Sequence, residues 1–181
     1  MEWFIPGTVL KADRAANVEQ QFSAMFLGGG IVLSQVTGIT GLEAYTVQNW
    51  VKRGFLSPPE RKHYSLEQLC RIININMLKN VLPMERIVGL LSYINGDLDD
   101  ESDDIIGDSQ LYFMFVRLAA QSRMMNTPQG RDECIAKELA DYREPVPGAK
   151  ERVEKVLTIM LTAWASAQLR LAAEQMLQEL N

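Results

Sequence analysis

The sequence predicts an all-α protein carrying one small β-hairpin, and three observations predict it. Apolar residues recur at helical spacings of three and four through most of the chain. Helix start and stop signals punctuate those stretches: Ser/Thr-x-x-Glu/Gln boxes, a helix-opening Pro and helix-closing Gly residues. The Pro58-Pro59 step, between residues that suit short strands, forbids helix near the middle of the N-terminal half.

The elements are expected in this order. Residues 8–27 read as an amphipathic helix, with Val18, Phe22 and Met25 or Phe26 on one side and Lys11, Arg14 and Gln21 on the other. Gly28-Gly29-Gly30 ends it, so residues 1–30 form an N-terminal helix packing on the core. A short helix is expected from Leu33 to Thr37, stopped by Gly38. Thr40-x-x-Glu43 has the form of a capping box and opens a helix to Arg53, stopped by Gly54. Phe55 to Tyr64 reads as the hairpin. Ser65-x-x-Gln68 is a second capping box, starting a helix with Leu66, Leu69, Ile72, Ile73 and Met77 that ends near Asn80. Pro83 suits the first turn of the next, which carries Ile87, Leu90, Leu91 and Ile94 and closes at Asn95-Gly96. Residues 31–95 thus run helix, turn, helix, wing-like hairpin, helix, helix.

Residues 96–108 contain seven acidic side chains and no basic one, which reads as a solvated linker. An EF-hand loop does not fit, because counting from Asp97 puts Ser102 at position six and Asp108 at twelve. Asp108 can cap a helix from Ser109 to about Met125, apolar nearly all round and therefore buried on several sides. A helical piece is expected near Glu133 to Tyr142, and a long last helix from Ala149 to about Leu180. Val153, Leu157, Met160, Trp164 and Leu171 lie on a seam of that helix that could belong to a partner subunit, so residues 109–181 are expected to mediate dimerisation or effector sensing.

Composition removes several classes of function. With 47% hydrophobic and 23% charged residues the chain is an ordinary globular sequence. Cys70 and Cys134 form no C-x-x-C, so no disulfide scaffold or zinc ribbon is expected and buried, reduced thiols are. The single His63 has no Ser, Cys or acid partner at a recognisable triad spacing, and no metal, phosphate loop or cofactor motif is present, so no enzyme is expected. No signal peptide is visible, and the uncharged stretch Gln20 to Leu42 is broken by glycines and polar residues. A cytoplasmic protein without a membrane span is the expectation.

The segment from Ile31 to Ile94 resembles the DNA-binding domain of the MerR superfamily, in motif as well as in the order of elements. Thr46-Val47-Gln48-Asn49-Trp50-Val51, then Lys52-Arg53, then Gly54-Phe55-Leu56 occupies the frame of that superfamily's second helix. Arg61-Lys62-His63-Tyr64-Ser65 matches the end of its wing, and Leu82-Pro83-Met84-Glu85-Arg86-Ile87 the start of its fourth helix. The combination of N-W-V-K-R-G, K-H-Y-S and I-N-M-L-K is similar to a group of small bacterial MerR-like proteins described as a domain of unknown function. The chain departs from the superfamily at Gln48 and Asn49, where Arg and Tyr are common.

The resemblance implies a winged helix-turn-helix that binds double-stranded DNA, as a homodimer, in transcriptional control. Val47, Trp50 and Val51 would face inward on the second helix, leaving Glu43, Tyr45, Thr46, Gln48, Asn49 and Lys52 outside, where a major groove can be read. Gln48 and Asn49 suit adenine, Lys52 and Arg53 suit phosphate or guanine, and Thr46 suits a phosphate at the helix start. Arg61, Lys62, His63 and Tyr64 at the wing would reach the flanking backbone. Charge partition agrees: residues 31–95 sum to +3, and the net −5 of the chain comes from elsewhere. Two other readings stay open, a degenerate helix-turn-helix used for protein contacts and an excisionase-like architectural factor; a small-molecule effector of the helical part is unassigned.

Overall fold

The computed structural model describes residues 3–96, 98, 104–121 and 127–180. It is mainly helical, with two small antiparallel two-stranded sheets among those residues. The first sheet pairs β1 (Trp3–Phe4) with β2 (Lys11–Ala12), and a 3-10 turn at Ala15–Asn17 leads into α1 (Val18–Met25). The amphipathic helix expected over 8–27 is therefore cut to its second half. Its first half gives way to a tight hairpin whose Gly7, at φ 74°, lies so close to Ile73 that a Cβ would meet the Ile73 side chain at 2.8 Å. Phe22 of α1 packs against Tyr112 and Phe113, both ring centroids at 5.9 Å, and the Tyr112 hydroxyl donates to the Pro6 carbonyl at 2.8 Å. Residues 3–30 are thereby fastened to the same core as the rest. Truncating a side chain buried like Phe22 typically costs about 3–5 kcal/mol.

The second sheet pairs β3 (Ile31–Val32) with β4 (His63–Tyr64), placing Ile31 opposite Tyr64 and Val32 opposite His63. Between them run α2 (Leu33–Thr40) and α3 (Ala44–Lys52). α2 continues past Gly38 and stops at Gly41, which takes the left-handed conformation at φ 69°. Thr40 is consequently the last residue of α2 and cannot open α3. Its hydroxyl donates to the Val36 carbonyl and accepts from the Leu42 amide, and Glu43 is the cap residue of α3.

α4 (Leu66–Leu78) and α5 (Met84–Asn95) come next. Ser65 and Gln68 form the expected capping box, the Gln68 amide donating to Ser65 Oγ at 3.1 Å and the Ser65 amide to Gln68 Oε1 at 2.9 Å. α6 (Asp108–Ala119), α7 (Pro128–Glu138) and α8 (Ala149–Gln178) complete the chain. The middle of the expected acidic linker, Asp97 and 99–103, lies outside the described residues, as does the expected end of α6 at 122–126.

The two sides of that segment share one hydrophobic core. α6 packs along α4, and α8 crosses α4, α5 and α6. Ile105 and Ile106 are buried, and Asp108 is buried rather than solvated. Its carboxylate meets Arg71 of α4 at 3.2 Å, so the last residue of the expected linker is an interior contact. Val153, Leu157 and Met160 are wholly buried within this chain and Trp164 sits edge-on to Phe115. Those four residues of the seam therefore pack inside the protomer, whereas Leu171, 44% exposed, does not. Beyond Trp164 the helix leaves the core, and Leu169, Met176 and Leu180 are 74%, 66% and 80% exposed.

The uncharged stretch Gln20 to Leu42 is divided among α1, a glycine turn, β3 and α2. α8 has the length and apolar composition of a membrane crossing, but its first half supplies core side chains.

Candidate nucleic-acid interface

α3 is short, and its amphipathicity decides what each residue can do. Val47 and Trp50 are buried against the core, with Val51 half-buried beside them. The opposite stripe carries Tyr45, Gln48, Asn49 and Lys52 at spacings i, i+3, i+4 and i+7, which stack on one helical face. Tyr45, Gln48 and Lys52 are exposed, while Asn49 and Thr46 are half-buried. The expected orientation of α3 thus holds for Val47, Trp50, Tyr45, Gln48 and Lys52, while Thr46 and Asn49 are less exposed than expected.

The wing is built around four residues. The His63 amide donates to the Glu60 carbonyl at 2.8 Å, and the two residues between them, Arg61 and Lys62, have φ of 49° and 69°. Two successive positive-φ positions closed by that bond are the signature of a type I′ hairpin turn, usually built from Asn-Gly. Here both positions hold long cationic side chains, and both are exposed. A non-glycine residue in the left-handed region costs about 1–2 kcal/mol, and retained strain of this kind concentrates where a chain does its work.

His63 is exposed, and its Nδ1 lies 3.0 Å from the Arg61 carbonyl, to which it donates. Its ring therefore braces the turn. Tyr64 corrects the sequence reading: only 3% of it is exposed, because β4 alternates its faces and pairing with β3 turns this residue toward the core. Burial also raises the Tyr64 hydroxyl above the usual tyrosine range.

Arg53 is only partly available. Its guanidinium stacks over the Phe55 ring at 4.5 Å and stands 3.7 Å from Glu85 at the start of α5. Such an exposed ion pair contributes little and can be given up to a stronger anion.

The wing is held to α4 by Gln68. Its Nε2 donates to the Ser57 carbonyl, the Ser57 hydroxyl and the Pro58 carbonyl at 3.0–3.1 Å, while its Oε1 completes the capping box. Gly30, just before β3, has no room for a side chain: a Cβ would meet His63 Cβ and the Tyr64 carbonyl at 2.8 Å. Between α3 and the wing runs a groove of about 500 Å³ lined by Val32, Leu33, Val51, Pro59 and Tyr64, with Gln48 and Lys62 at its edge.

Arg71 is the residue whose role the sequence concealed. One of the basic residues in the +3 of 31–95, it is 3% exposed and neutralised by Asp108, so it adds nothing to the surface potential. Nothing in the local sequence marks it, since its partner stands 37 residues away. Lys79 is half-buried and its ammonium is pushed below the usual lysine range by desolvation. Among the described residues, no group of three or more His, Cys, Asp or Glu is placed to hold a metal. Cys70 and Cys134 are buried free thiols, and burial pushes Cys70 well up, away from thiolate chemistry.

Residues 30–115 match a family model described as a domain of unknown function (DUF1836). The match begins just before β3 and reaches into α6, so it takes in the wing, α3 and the Arg71–Asp108 pair together. Over 86 residues the chain is 31% identical to the uncharacterized protein YkrK of Bacillus subtilis (strain 168). That alignment covers 45% of this chain and 37% of the relative, so the similarity spans little more than a third of that protein. No solved structure matches.

Proposed function

We propose that this chain is a DNA-binding transcriptional regulator in which residues 31–95 act as a MerR-like winged helix-turn-helix. One observation carries the reading: the α3 stripe of exposed Tyr45, Gln48 and Lys52 with half-buried Asn49 stands beside a wing turn whose two central residues are both cations at positive φ. In this reading α3 enters the major groove, Gln48 and Asn49 meet base edges, and Lys52, Arg61 and Lys62 meet phosphates. Arg53 joins them on release from Glu85. No bond is made or broken, and the working form is a cytoplasmic homodimer. The length of the helical extension disfavours the excisionase-like alternative, whose members are little more than the winged domain.

A salt-titrated binding assay against genomic fragments tests it. Log K is expected to fall linearly with log salt, by about 0.9 for each phosphate neutralised. Lys62→Ala should weaken all sequences alike and reduce that slope by about 1 per protomer, whereas Gln48→Ala should relax preference at one base position. No fragment bound above background near physiological salt would sink the proposal.

A second reading is favoured by the groove between α3 and the wing, whose lining is mainly apolar. An interaction module would seat a partner protein's side chains there instead of DNA. Sedimentation with and without DNA separates the two, since an interaction module shows no DNA-dependent change in mass.

A further inference from the structure

A cavity of about 480 Å³ lies where the wing, α4, the end of α5 and the start of α6 meet. Its size is that of a small-molecule site. Arg71, Asn95 and Asp108 line it and are 3%, 5% and 8% exposed. The Arg71 Nε donates to the Phe55 carbonyl and its Nη1 to Asp108 Oδ2. Among the described residues, Arg71 Nη2, Asn95 Oδ1 and Asp108 Oδ1 have no hydrogen-bond partner. Folded chains seldom leave buried polar atoms unpaired, and three on one cavity give it unused hydrogen-bonding capacity that a ligand can take up.

The unpaired atoms define the chemistry of that partner. Two acceptors and one donor are open, and the lining carboxylates of Glu60, Glu67, Asp104 and Asp108 outnumber the Arg71 guanidinium. An ammonium group suits the acceptors and a carboxylate suits Arg71. We propose that this cavity binds a small zwitterionic amino compound of amino-acid size, its ammonium at Asp108 Oδ1 and Asn95 Oδ1 and its carboxylate at Arg71 Nη2. Glu60 and His63 of the wing line the same cavity, so the occupant touches the wing and the helical extension together. The site stands whether or not the chain binds DNA.

The test uses the full chain with each proteinogenic L-amino acid in turn at millimolar concentration. At least one is expected to raise Tm as the linkage relation requires and to shift the Gly29, Gly30 and His63 amide resonances. Its carboxamide, which lacks the carboxylate for Arg71, should bind at least tenfold more weakly, and Asn95→Ala should weaken the free acid by a similar factor. Three results would overturn the proposal: no response to any amino acid, which leaves water alone in the cavity; equal response to acid and carboxamide; or resonance shifts confined to another surface.

Discussion

Arg61 and Lys62 hold a backbone that Asn or Gly adopts with ease and that Lys and Arg resist. Lys62→Asn keeps the left-handed position available and removes the charge. It is therefore expected to stabilise the fold by about 0.5–1 kcal/mol while lowering DNA affinity for every sequence. Urea denaturation beside the binding assay reads both, and a loss of stability would mark Lys62 as structural instead. Asp108 is the second telling residue. Burial raises its carboxyl above the usual range despite the adjacent Arg71 charge. The folded chain then holds a proton that the unfolded chain has released, so between the ordinary value near 3.8 and the raised one this group makes stability increase as pH falls. Asp108→Asn should remove that contribution, which urea midpoints measured across acid pH for both proteins will show. Arg71→Ala, which strands the carboxylate, should cost about 3–5 kcal/mol.

Among the elements, the two boxes of like sequence form have opposite fates. Ser65-x-x-Gln68 caps α4, so Ser65→Ala should cost about 1 kcal/mol in thermal or urea unfolding. Gln68→Ala should do more, because the same side chain ties Ser57 and Pro58. Faster hydrogen exchange at the His63 and Tyr64 amides would register the loosened wing, and unchanged exchange there would show that Gln68 acts on α4 alone. Thr40-x-x-Glu43 caps nothing as a box, since Gly41 ends α2 one residue after Thr40. Capping motifs describe only a few residues, and which one operates depends on where the preceding helix stops. The paired strands β3 and β4 are two residues each, too short to show alternation, so no local pattern marks β3 in the sequence.

At the scale of the molecule, α8 has two unlike halves. Its first half is core for the fold, and its second carries Leu169 and Met176 outward seven residues apart, with exposed Leu180 just past its end. The proposed homodimer is placed there. Leu169→Glu with Met176→Glu should convert a dimer to a monomer in sedimentation and leave the Tm within a few degrees, because neither side chain touches the core. A wild-type monomer at micromolar concentration would remove dimerisation from the functional reading. The charge of the reading face is likewise a property of the whole fold. The +3 of residues 31–95 includes Arg71, which Asp108 from beyond that segment cancels. The positive face that remains is Lys52, Arg61 and Lys62 with a partly engaged Arg53.

The sequence by itself determined the helical class, the order of the helices, the buried Val47 and Trp50, and the outward Tyr45, Gln48 and Lys52 of α3. Each depends on spacing within one element, which the chain carries locally. Only the tertiary structure decided that Tyr64 faces inward, that Val153, Leu157 and Met160 are claimed by their own chain, and that Arg71 and Asp108 meet. Those outcomes depend on which surfaces far apart in sequence come to share a core, and no local period records that.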